Sequence, residues 1–159
     1  MTQRYTNIQL PAYKYIPKQG PHPSQLKNVV HIPELENNMG GFSNLNWSDS
    51  SRYLYAIDLF NLGYYWEVHE VLEKLWLELG KKSAEGAFIQ GLIQLAVALL
   101  KHSQGNSVGV ERLGKKAMPR IFSQKDIYLG IDIQVLFAQF DSFVREERVN
   151  PPQIFLKFE

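Results

Sequence analysis

Asp58-Leu59-Phe60-Asn61-Leu62-Gly63-Tyr64-Tyr65-Trp66-Glu67-Val68-His69-Glu70-Val71-Leu72-Glu73-Lys74-Leu75-Trp76 is the stretch on which the fold turns. Upstream of it Tyr53, Ala56, Ile57 and Phe60 recur at spacings of three and four, the stripe of a first helix. Ser48-Asp49-Ser50-Ser51 supplies N-cap side chains before that helix, and Asn61-Leu62-Gly63 supplies its stop. Downstream, Val68, Val71, Leu72, Leu75 and Leu79 share one face of a second helix over Tyr65–Leu79, ended by Gly80. A connection this short folds the two helices back on each other as an antiparallel hairpin.

The same periodicity continues along the chain. A third helix over Ala84–His102 contains the nearly unbroken apolar run Leu92 to Leu100 and is expected to be the most buried element. A fourth over Val108–Phe122 aligns Val110, Leu113, Ala117 and Ile121, with Pro119 expected to kink it or end it near Met118. A fifth over Asp132–Glu147 carries Ile133, Leu136, Phe137, Phe140 and Val144 and stops before Asn150-Pro151-Pro152. Before the helices, Pro11, Pro17, Pro21, Pro23 and Pro33 exclude a helix, while Tyr5, Ile8, Leu10, Tyr13, Tyr15 and Ile16 give an extended strap with apolar residues to bury. Residues 34–47, rich in Asn and Gly, read as a loop. The division is an arm and loop over 1–47, a helical domain over 48–150 and a docked apolar tail over 151–159. With no βαβ rhythm, the fold class is all-α, a compact bundle of four to five helices built on a helical hairpin.

Composition narrows the function. At 159 residues with 45% hydrophobic and 21% charged side chains, one domain can enclose a core. A net charge of +1 carries no global field for nucleic acid or membrane, and no run of the roughly 20 residues a span needs is read in the sequence, the third helix included. Zero cysteines exclude a disulfide scaffold, a thiolate metal site and a cysteine nucleophile, and accord with a cytoplasmic protein. Arg112, Lys116 and Arg120, with Lys115 and Lys125 nearby, form a basic ridge that reads as solvated surface, since no exposed aromatics are interleaved with it.

The polar residues that a plain bundle does not require lie on the second and third helices. At about 100° per residue, Glu70 and Glu73 are about 60° apart, with His69 beside Glu73 and Glu67 beside Glu70, between Trp66 and Trp76. On the third helix Gln90, Gln94 and Lys101 fall within about 40° of one another, and Gly91 and Ala98 leave room for a close neighbour. Buried amides need partners and crowded carboxylates need a cation, proton or donors, so the two rows are expected to meet across a helix interface. His69 and Glu73 at i, i+4 can hold one metal ion with Glu70 as general base, while an ordinary solvated face with local ion pairs stands beside that reading. His22 and His31 in the arm are further candidate ligands, His102 being rotated away from Gln90 and Gln94.

These residues resemble a known family, the small all-helical proteins of domain of unknown function 309. The resemblance rests on Leu10-Pro11-Ala12-Tyr13-Lys14-Tyr15-Ile16-Pro17 and Pro21-His22-Pro23, on Asp58 to Glu73 with Trp76, on Phe88-Ile89-Gln90-Gly91-Leu92-Ile93-Gln94-Leu95-Ala96, and on Gly105-Asn106 and Gly109. Where longer members follow Pro-His-Pro with a Gly-His pair, this chain has Val30-His31-Ile32. The resemblance implies a compact helical fold with Glu67, His69, Glu70, Glu73, Gln90 and Gln94 as signature positions. Members are sometimes labelled predicted metal-dependent hydrolases, so it also implies a divalent metal ion as cofactor. On that reading Glu70 and Glu67 act in catalysis, His69, Glu73 and His22 bind metal, and Gln90, Gln94 and Trp66 orient substrate or water. Leu59 to Val68 also resembles a tetratricopeptide hairpin turn, with no second copy at a period of about 34 residues. That likeness keeps open a non-catalytic module that binds a protein or small ligand, alone or as a homo-oligomer, with the polar cluster as a structural network.

Overall fold

A computed structural model describes residues 2–27, 30–36 and 40–158. Five helices carry the fold: α1 (Ser51–Asn61), α2 (Tyr65–Leu79), α3 (Ala84–Ser103), α4 (Ser107–Ile121) and α5 (Ile133–Val144). A two-stranded antiparallel hairpin, β1 (Ile127–Tyr128) with β2 (Ile131–Asp132), sits between α4 and α5. Its turn puts Leu129 and Gly130 at φ 51° and 77°. Glycine is required at position 130, because a Cβ there would come within 2.5 Å of the Trp47 indole.

Side-chain caps start four of the five helices, α2 being the exception: Ser50 accepts from the Tyr53 amide, Ser83 from Gly86, Asn106 from Gly109 and Asp132 from Val135. Pro119 neither ends nor shortens α4 at Met118. It lies in the last turn, where its missing N–H costs one bond, and the Phe122 amide still reaches the Met118 carbonyl at 2.9 Å. The fifth helix stops at Val144, three residues before the expected end, as Glu146 turns to φ 62°.

The most enclosed helix is α1, not α3. Nine of the eleven α1 residues are buried, against ten of twenty in α3. The apolar residues of α1 face the bundle, while arm and tail cover the rest of it. The Tyr55 hydroxyl donates to the Gln9 carbonyl at 2.9 Å. Asn61 donates to the Ile154 carbonyl and accepts from the Ile154 amide, at 2.8 and 2.7 Å. Residues 153–158 continue across the molecule, with the Lys157 amide on the Gly130 carbonyl and Phe158 against Trp47.

α3 is packed between α2 and α4. At Gly91 an added Cβ would lie 3.0 Å from atoms of Arg120 and Ile121, so the missing side chain is what lets α4 approach. One expectation about α3 is corrected: its 20 residues include an 18-residue window of mean hydropathy 1.3, so by length and composition it is long and apolar enough to cross a membrane. In this fold that apolarity is spent on core contacts, Phe88, Ile89, Leu92, Leu95, Ala96 and Leu99 all being buried.

Candidate functional site

The apolar stripe of α2 decides where its polar groups go. Val68, Val71, Leu72 and Leu75 are buried, which turns His69, Glu70 and Glu73 to the opposite, half-exposed side. There His69 stands between two carboxylates of its own helix, with Nδ1 3.3 Å from Glu70 Oε1 and Nε2 3.2 Å from Glu73 Oε2. One ligand atom from each of the three lies within 4.8 Å of the others. Both carboxylates are more than a third exposed, so either can swing away from the ring.

Glu67 lies at the edge of the stripe, where the arm crosses α2, and is only 2% exposed. Its Oε2 accepts the Tyr15 amide at 3.0 Å, whereas Oε1 is buried without a hydrogen-bond partner among the described residues. Burial pushes the Glu67 carboxyl above its ordinary value, opposed by the Tyr15 amide, its own backbone amide and the Lys14 charge. Beside it the rings of Tyr15 and His22 meet Trp66 edge-on, with centroids 4.9 and 5.4 Å away. His22 thus reaches α2, but its Nδ1 accepts the Ser24 amide at 3.1 Å, and it is not among the three grouped ligands. His31 lies on the arm with Nε2 3.2 Å from the Leu26 carbonyl.

The expected meeting of the acidic row with the carboxamide row does not occur among the described residues. Gln94 faces α4, accepting from Arg120 Nη1 at 3.4 Å, and Gln90 makes no hydrogen bond to α2. The reason is rotational: the residues that pack α2 against α3 are the leucines and valines, leaving each polar row on its own flank. Arg120 therefore leaves the basic ridge, on which Arg112, Lys115 and Lys116 stay exposed. A groove of about 540 Å³ between α4 and α5 is lined by His102, Val110, Met118, Phe140 and Val144 and by none of the candidate residues.

Sequence reasoning passed over Asp58. Fully buried on α1, it accepts from the Tyr5 amide at 2.7 Å and from the Thr6 amide and hydroxyl at 3.1 and 2.7 Å, with Arg4 Nε 3.1 Å away as ion partner. A signal existed: a lone carboxylate in the apolar run Tyr53–Phe60 needs donors from elsewhere in the chain. Glu67 and Asp58 together hold the arm down, and the Tyr64 hydroxyl adds a bond to the Pro11 carbonyl at 3.1 Å.

Comparison with known proteins finds likenesses without assigning a reaction. An uncharacterized protein of Aquifex aeolicus (strain VF5) is 27% identical over 96 residues, 60% of this chain and 28% of that protein. The uncharacterized protein YpuF of Bacillus subtilis (strain 168) is 39% identical over 59 residues, 37% of this chain and 33% of its own length. The matched stretches thus span about a third or less of those relatives. Residues 53–113, from α1 into α4, match the sequence model of the family described as Domain of unknown function (DUF309), and this is the family the chain resembles.

Proposed function

We propose that the protein is a divalent-metal-binding helical protein of hydrolase type, with its ion held on the open side of α2. The observation that carries the reading is the convergence of His69, Glu70 and Glu73 donor atoms within 4.8 Å. One imidazole and two carboxylates suit zinc, manganese or iron, and three protein donors leave coordination positions for water and substrate. When bound, the ion would supply an activated water for hydrolysis. His69 and Glu73 form the i, i+4 pair that holds the ion. Glu70, on the other side of the imidazole, either completes the set or accepts a proton. Trp66, one turn earlier on the same helix, gives substrate an aromatic wall with His22 against it. Glu67 belongs to the arm contact rather than to this surface, and Gln94 is engaged by Arg120, so neither is assigned a role at the metal.

The test is metal uptake by tag-free protein purified without chelator. Elemental analysis and calorimetric titration with zinc and manganese should give one equivalent per chain, lost in His69→Ala. Substoichiometric uptake that added metal does not raise would end this reading. A second reading, a non-catalytic module that binds a protein or small ligand, is favoured by one observation: the Glu67–Tyr15 bond spends a buried carboxylate on fixing the arm. Absent metal uptake with an intact fold would leave that reading in its place.

A further inference from the structure

A second site lies under the arm, meeting the surface of the His69 cluster at Trp66. Between the arm and the start of α2 is a cavity of about 140 Å³, walled by Pro11, Tyr13, Ile32 and Trp66, with Glu67 and His31 in its lining. Its wall is almost entirely carbon. Glu67 is 98% enclosed, and among the described residues its Oε1 has no hydrogen-bond partner although Oε2 is satisfied by Tyr15. An unpaired oxygen of this kind costs about 1–3 kcal/mol unless something completes it. Lys14 does not: its Nζ sits 4.9 Å above the Tyr64 ring and makes no ion pair with Glu67.

We propose that this cavity binds a small alkylated ammonium group, with Glu67 as counter-charge and Trp66 and Tyr13 as aromatic wall. Three physical arguments select that class. A divalent ion needs several oxygen donors, and the cavity offers one carboxylate and the His31 ring, whose Nε2 is engaged by the Leu26 carbonyl. A water molecule needs about three hydrogen bonds to be held, which such a wall does not supply. An alkylammonium wants what is present: apolar contact for its carbons, a π surface and a single buried negative charge. At ~30 Å³ per water-sized group, the space takes about four or five non-hydrogen atoms, the size of tetramethylammonium.

The experiment titrates full-length protein, in chelator, with tetramethylammonium chloride, with its neutral counterpart tert-butanol, and with sodium chloride. It follows the Tyr15 amide and the Trp66 indole by nuclear magnetic resonance. The expected result is saturable shifts with tetramethylammonium, none with sodium chloride, and binding of tert-butanol weaker by about tenfold or more. Glu67→Gln keeps an oxygen for the Tyr15 amide and should lose tetramethylammonium binding by a similar factor. Trp66→Leu, which leaves Glu67 in place, should weaken it as well. Equal binding of cation and alcohol, undiminished binding by a folded Glu67→Gln, or no saturable shift with tetramethylammonium would overturn the proposal. Chelator keeps the result independent of metal at His69, so the two sites stand or fall separately.

Discussion

Replacing Asp58 with Ala should detach the start of the arm and cost more than any surface change. In the folded protein this carboxylate has no exposure and serves two amides, one hydroxyl and the Arg4 guanidinium. Removing it leaves the Tyr5 and Thr6 amides without acceptors and takes the ion partner from Arg4, only 30% exposed, whose Nη2 keeps the Ile8 carbonyl at 2.6 Å. Breaking a buried charge pair from one side costs about 3–5 kcal/mol. At roughly 2–4 °C per kcal/mol for a chain of this size, the melting temperature should fall by on the order of 10 °C. Urea unfolding followed by tryptophan fluorescence gives the free energy, and limited proteolysis reports whether the cut sites move into the first ten residues. The double variant with Arg4→Ala should cost less than the sum of the singles, since both remove one contact. A loss below about 1 kcal/mol for Asp58→Ala, or strict additivity with Arg4→Ala, would refute the account of the arm as charge-anchored.

Glu67 carries a pH signature. Because burial raises its folded-state pKa, the folded form holds its proton more tightly, and that contribution is lost as pH rises through the raised value. In chelator, Glu67→Gln should therefore be more stable than wild type by about 1 kcal/mol near pH 8, with the gap closing towards pH 5. Calorimetry that finds the variant less stable at the higher pH would contradict this. Asn61→Ala should cost about 2–3 kcal/mol and speed hydrogen exchange at Ile154, because the amide pairs with both backbone groups of that tail residue. Protected exchange at Ile154 in the variant would show that the tail is held by packing alone. Gln94→Leu should change stability by less than about 1 kcal/mol, as its one bond to Arg120 is long and half-exposed. A loss several times larger would mean that Gln94 is part of a tighter network.

The helical hairpin was legible because its signals are local. Ser50 as cap, the three-and-four spacing from Tyr53 and the Gly63 break are properties of adjacent residues, and α1 and α2 form where they predict. The grouping of His69, Glu70 and Glu73 was legible for the same reason, since the i, i+4 pair His69–Glu73 and the i, i+3 pair Glu70–Glu73 are neighbours by the pitch of a helix. The meeting of that row with Gln90 and Gln94 was not. It depends on how two helices are rotated about their axes, and the larger free energy of burying Val68, Val71, Leu72 and Leu75 sets that rotation.

Helix-forming character, the positions of breaks and the identity of the polar groups on α2 thus belong to the sequence by itself. The tertiary structure alone decided that α1 rather than α3 is most enclosed, that Asp58 and Glu67 hold the arm, and that Glu67 keeps one oxygen unpaired beside a cavity. The physical reason is distance along the chain. Tyr5 and Asp58 are 53 residues apart, Tyr15 and Glu67 52, and Asn61 and Ile154 93. No local pattern marks which of many donors will reach a buried acceptor until the core has been packed and the remaining segments have only one surface left to cover.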